Sequence, residues 1–130
     1  MYKRQQLGSA DISKVKSVLT SKKIKEIQGL LANIYVEPQM MKYITDIVVE
    51  TRNNGNIYLG GSPRASLAIL RTARVTAAIN GRDFVIPDDI QYVAPHVLNH
   101  RIILTPDAEM EGLTPKDVLA EIIKTLEVPR

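Results

Sequence analysis

Cysteine and tryptophan are both missing from this chain of 130 residues, and phenylalanine occurs once. Without cysteine there are no disulfides, no thiolate metal ligands and no cysteine nucleophiles, a composition that fits a reducing cytosol. Aromatics make up only 5% of the residues. Tyr35, Tyr43, Tyr58 and Tyr92 sit in different segments, so they form no stacking platform for bases. No apolar run approaches the roughly 18–20 residues that cross a bilayer, and Met1-Tyr2-Lys3-Arg4 leads into no signal-peptide core. The expectation is a cytoplasmic chain without membrane insertion. The sequence also lacks a GxxxxGKS or GxxxxGKT phosphate loop, an apolar strand ending in Asp-Glu for magnesium, a GxGxxG fingerprint and a GxSxG elbow. The chain has no visible means of doing chemistry alone.

What is present is helical periodicity. Hydrophobic content of 45% and charged content of 24% are those of an ordinary globular chain, long enough for one domain with a single core. Ile24, Ile27, Leu31 and Ile34 recur at steps of three and four and predict an amphipathic helix from about Ser21 to Asn33. Glu37-Pro38 restarts the chain, and Met41, Ile44, Ile47, Val48 and Thr51 trace the inner face of a second helix ending near Arg52. Asn53 to Asn56 is a turn or loop by composition. A third helix runs from Ser62 to about Asn80, with Gly81 as its left-handed terminator. Its centre is rich in alanine (Ala65, Ala68, Ala73, Ala77, Ala78), which predicts a central helix that neighbours approach closely. Pro87-Asp88-Asp89 opens a fourth helix, which Pro95 bends or restarts, and Thr114-Pro115-Lys116-Asp117 opens the last. Asp107 to Gly112 is a polar loop. Phe84-Val85-Ile86 and Ile102-Ile103-Leu104 are short extended runs that could pair as a tiny two-stranded sheet. The predicted fold is an all-α bundle of four to five helices.

The segment Leu59-Gly60-Gly61-Ser62-Pro63-Arg64-Ala65-Ser66 carries the sharpest signal. Ser62 suits the N-cap and Pro63 the first helical position. Arg64 then falls in the first turn, where the positive end of the helix dipole disfavours a cation. An arginine placed against that preference, behind two glycines that let a backbone come close, points to a bound anion such as a phosphate. The plainer reading, an arginine facing solvent, stays open on these eight residues. Arg71 and Arg74 share the broad face below Arg64. Tyr58, just before the glycines, is a core or rim residue, or one that flanks a nucleotide. His96 and His100 have an i, i+4 spacing that could hold a metal on a continuous helix, but Pro95 intervenes and no third ligand is evident, so no metal site is assigned. Asp88 and Asp89 suit helix capping better than acid–base catalysis, because adjacent helical residues point in different directions.

Together these residues resemble a known family. The string GGSPRASLAILRTARVTAAINGRDFVIPDDI followed by VLNHRIIL is similar to the C-terminal lid region of MoxR-type AAA+ ATPases. Upstream, IYVEPQMMKYITDIVVETR is similar to a helix of that family in the same register, and EVPR to a family chain end. The resemblance implies a core-to-lid connecting segment at 1–20 and a lid helical domain at 21–130. It implies that Arg64 is the sensor 2 residue, reaching the γ-phosphate of ATP held by the ATPase core of the same subunit, with Gly60, Gly61, Ser62 and Pro63 setting the helix start that aims it. Gly61 departs from the alanine of many relatives, a change expected to loosen the turn. ATP and magnesium would be cofactors of the full-length parent, a hexameric, chaperone-like machine whose partners are neighbouring subunits and proteins with von Willebrand factor A domains. The chain itself, lacking Walker A and Walker B, is expected not to hydrolyse ATP and to need no cofactor.

Two other readings come from the residues. Lys22, Lys23 and Lys25 with Arg71 and Arg74 could form a basic face on a stand-alone nucleic-acid-binding module, although the net charge of +3 is mild and a solvated face explains it better. A protein-interaction bundle with Arg64 on its surface is the other.

Overall fold

Residues 38–53 show how the pattern becomes structure. Met40, Tyr43, Ile44, Ile47, Val48 and Thr51 bury one face of a 16-residue helix, while Met41, expected on that face, is 45% exposed. The inner face follows Met40 because Tyr43 and Ile47 continue it at steps of three and four. A computed structural model of the chain describes residues 15–129. Of the connecting segment expected at 1–20, residues 1–14 lie outside that range.

The described residues form six helices, α1 (Ser21–Leu31), α2 (Pro38–Asn53), α3 (Pro63–Ile79), α4 (Pro87–Leu98), α5 (Pro106–Met110) and α6 (Pro115–Thr125), with strands β1 (Ile57–Leu59) and β2 (Ile103–Leu104). The all-α prediction holds. The helix beyond the expected four to five is α5, a short helix inside the stretch expected to be a polar loop, capped by the Thr105 hydroxyl. Helix α3 is central, as its alanines predicted: Ala65, Ile69, Ala73 and Ala77 are fully buried. Small side chains there let α2 and α4 pack closely against it. Ile90, Leu98, Leu119 and Ile122 complete the core from α4 and α6.

The helix ends follow their sequence signals. Gly81 sits at φ 73° beyond α3, where its amide bonds Ala78 and the Arg82 amide reaches the Ala77 carbonyl, closing the helix. Thr114 and Asp117 form a reciprocal cap at the start of α6. Helix α4 runs unbroken through Pro95, which neither ends nor restarts it.

The small sheet differs from expectation. Residues 84–86 do not pair with 102–104; β2 instead pairs antiparallel with β1, Ile57 opposite Leu104 and Leu59 opposite Ile103. Phe84 bridges Tyr35 in parallel, with the Tyr35 amide donating to Asp83 O at 2.8 Å and the Val85 amide to Tyr35 O at 3.0 Å. Helix α4 is the reason. Its 12 residues carry the chain roughly 18 Å away from residue 86, and the few residues from Leu98 to Ile102 reach at most about 14 Å back.

Candidate functional site

The start of α3 is fixed from below by the end of α2. The Thr51 hydroxyl is fully buried; it donates to Val48 O at 2.6 Å and accepts the Gly61 amide at 2.8 Å. Arg52 Nε donates to Gly61 O at 2.7 Å. Both backbone groups of Gly61 are therefore held by consecutive residues of one helix, which fixes where α3 begins.

Gly60 is a steric requirement of that clamp. A Cβ there would lie 2.6 Å from the Thr51 carbonyl oxygen and 2.8 Å from Arg52 Cγ. Its φ is not left-handed, so the need is for space and not for conformational freedom. A Cβ on Gly61 would meet Leu98 Cδ2 at 3.0 Å, and Thr51 Oγ1 and Val48 Cγ1 at 3.4 Å. Alanine at that position needs small side-chain shifts only, and the turn is not loose with glycine there. The close approach read from the two glycines is thus made by α2.

From this base the sequence-predicted residues fall in order. Ser62 occupies the N-cap and Pro63 the first helical position, but the Ser62 hydroxyl makes no capping hydrogen bond. Arg64 follows on an exposed position of the first turn. Its guanidinium makes no hydrogen bond or ion pair among the described residues, where the only ion pairs are Lys42–Asp46 and Arg82–Asp89. The helix start therefore presents amides without a side-chain cap beside a permanently charged fork suited to phosphate oxygens. Tyr58 lies on the rim, 77% exposed.

The far end of α3 is closed by a polar pair that sequence reasoning missed. Arg82 donates to both carboxylate oxygens of Asp89 at 2.7 Å, and Asp89 also accepts the Ile86 amide at 3.0 Å. Asp89 is only 3% exposed. Burial pushes its carboxyl up, but the Arg82 hydrogen bonds and the Ile86 amide outweigh it and hold the group below the usual carboxylate range. The same hydrogen bond raises Arg82. Asp89 is thus a structural cap and not a catalytic base. Arginine six residues before a helix-opening Asp-Asp was the available signal, and Thr51-Arg52 at a helix end before a glycine pair was its counterpart for the other clamp.

The remaining candidates are dispersed. His96 packs edge-on against Tyr92 at 5.5 Å between ring centroids, and His100 lies beyond the end of α4. Among the described residues no group of three or more His, Cys, Asp or Glu is placed to hold a metal. No described helix is long and apolar enough to cross a membrane.

The sequence model of the AAA lid domain matches residues 49–122, from the end of α2 through α6. The chain belongs to the AAA lid domain family. That match spans both clamps and the Arg64 turn. Among relatives, the lid is 36% identical to the uncharacterized protein YeaC of Bacillus subtilis over 93% of this chain and 38% of that protein. It is 34% identical to the chaperone MoxR1 of Mycobacterium tuberculosis over 88% of this chain and 33% of the relative. The crystal structure of a candidate ATPase from Cytophaga hutchinsonii superposes with a TM-score of 0.83 at 30% identity, covering 89% of this chain and 38% of that one. The lid is of the MoxR type, and it spans about a third of the length of these proteins, 33–38%.

Proposed function

We propose that this domain is the sensor 2 lid of a MoxR-type AAA+ ATPase, and that Arg64 reaches the γ-phosphate of ATP bound by the ATPase core of the same polypeptide. The observation that carries this reading is an unpaired, exposed arginine in the first turn of a helix whose start is clamped by Thr51 and Arg52. A guanidinium held in this way donates in a planar fork to phosphate oxygens and stabilises charge spread over a transferring phosphoryl group. Magnesium and the phosphate loop belong to the core's side of such a site. The clamp makes the lid move as a body, so engagement of Arg64 couples nucleotide state to the angle between lid and core. The parent is then a cytoplasmic, chaperone-like ATPase that assembles as a hexamer, with von Willebrand factor A domain proteins among its partners.

The test is Arg64→Ala in the full-length protein. ATP turnover is expected to fall by about 100-fold, the loss typical of one phosphate-stabilising donor, with the melting temperature of the lid unchanged. Turnover at the wild-type rate would overturn the sensor assignment.

A further inference from the structure

A cleft of about 400 Å³ separates α1 from α3, lined by Gln28, Leu31 and Ala32 on one side and Arg71, Arg74 and Val75 on the other. Arg71 and Arg74 stand one helical turn apart, a spacing that brings their Cβ atoms within about 6 Å. Among the described residues no acidic side chain lines the cleft, and neither guanidinium makes an ion pair. The Nε of Arg74 is buried and has no hydrogen-bond partner among the described residues. A buried N–H without an acceptor is rare in native proteins, and here it belongs to a residue that lines a cleft with a second arginine. Oxygen acceptors are what this arrangement lacks.

The surroundings indicate what carries those oxygens. Leu31, Ala32 and Val75 give the cleft apolar walls, which strengthen a charge-assisted hydrogen bond made inside it. Around it Ile24 is 43% exposed, Ile27 41% and Leu67 55%. Helix α1 buries no residue at all. Paired arginines within an apolar rim match the anatomy of a protein–protein contact, in which arginine and apolar anchors are concentrated at the centre. A free phosphate gains nothing from such a rim.

We propose that the α1–α3 cleft is a docking pocket for a carboxylate side chain presented by an apolar protein surface, gripped by Arg71 and Arg74 with the Gln28 amide as a further donor. Arg74 offers its terminal nitrogens to the carboxylate oxygens, and Arg71 closes from the next turn. The pocket lies two to three turns along α3 from Arg64, about 10–15 Å away, and does not depend on the role of that residue.

The test uses this chain and follows the arginine Nε–Hε resonances by NMR. The probes are a capped pentapeptide of alternating glutamate and leucine, its glutamine counterpart, and inorganic pyrophosphate. The glutamate peptide is expected to shift the Arg74 resonance saturably with Kd of about 1–10 mM. Arg71→Gln should weaken that response at least about fivefold, Arg71→Lys less, and Arg64→Gln not at all. Arg71 is exposed, so its variants keep the fold, and thermal melts verify this. Three results would each overturn the proposal: no saturable shift at about 20 mM peptide, an equal response to the glutamine peptide, or tighter binding of pyrophosphate than of the glutamate peptide at Arg74.

Discussion

The α2–α3 junction and helix α1 are built on opposite terms. At the junction the end of α2 is tied to the start of α3: the Thr51 hydroxyl makes two hydrogen bonds, Arg52 a third, and Gly60 leaves no room for a methyl group. Helix α1 has as clear an apolar stripe in sequence, yet none of its residues is buried. An apolar stripe therefore reports that a helix face seeks cover and not which surface provides it. The same contrast divides the arginines. Arg52 through its Nε and Arg82 through both terminal nitrogens hold the two ends of α3, whereas Arg64, Arg71 and Arg74 have no side-chain partner among the described residues.

The sharpest way to break this contrast is Gly60→Val. A Cβ within 2.6 Å of the Thr51 carbonyl forces α2 and α3 apart, and we expect a loss of about 3 kcal/mol in urea unfolding, against less than about 1 kcal/mol for Gly61→Ala. Equal costs at the two glycines would remove Gly60 from the clamp. Asp89→Ala comes next, at about 2 kcal/mol, because it deletes a cap and strands a guanidinium that can still reach water.

That substitution also carries a pH signature. The Asp89 carboxyl is held lower in the folded state than in the unfolded chain. Its contribution is complete above the unfolded value of about 3.9 and is lost as pH falls through the folded value. The stability gap between wild type and Asp89→Ala should therefore be constant from pH 5 to 7 and shrink as the solution is acidified below about pH 4. A gap that grows in acid would contradict the ion pair. Thr51→Val, which keeps the shape and deletes two hydrogen bonds, should cost about 1.5 kcal/mol by chemical denaturation. The smallest effect is expected on α1: Ile27→Ser should change the stability of this chain by less than about 0.5 kcal/mol. A loss near that of Thr51→Val would show that α1 is part of the core after all.

Most of the helical framework was legible in the sequence. Ser62-Pro63, Gly81, Pro87-Asp88-Asp89 and Thr114-Pro115 mark helix ends through backbone chemistry that acts within four residues, so local reading suffices. The alanine-rich centre of α3 announced a buried helix, and Arg64 stands in the first turn as expected. The strand partners were not legible. Three apolar residues at 57–59 carry almost no periodicity, and the pairing of β1 with β2 depends on where α4 delivers the chain. Helix α5 was hidden because its five residues, Pro106 to Met110, are too few to show a helical period. The sites were legible in part: Arg64 stood out by violating a local preference, whereas Thr51, Arg52 and the Arg82–Asp89 pair break no local rule and gain meaning only from their partners.

Sequence by itself determined the class of fold, the positions of most helix ends and the arginine at the start of α3, because propensity, capping and the helix dipole are properties of neighbouring residues. Only the tertiary structure decided that the two glycines serve α2, that Asp89 is consumed by Arg82, and that α1 leaves its apolar face and the Arg71–Arg74 cleft open. Those outcomes depend on which groups meet across the chain, where a hydrogen bond made in one place removes a donor from every other use.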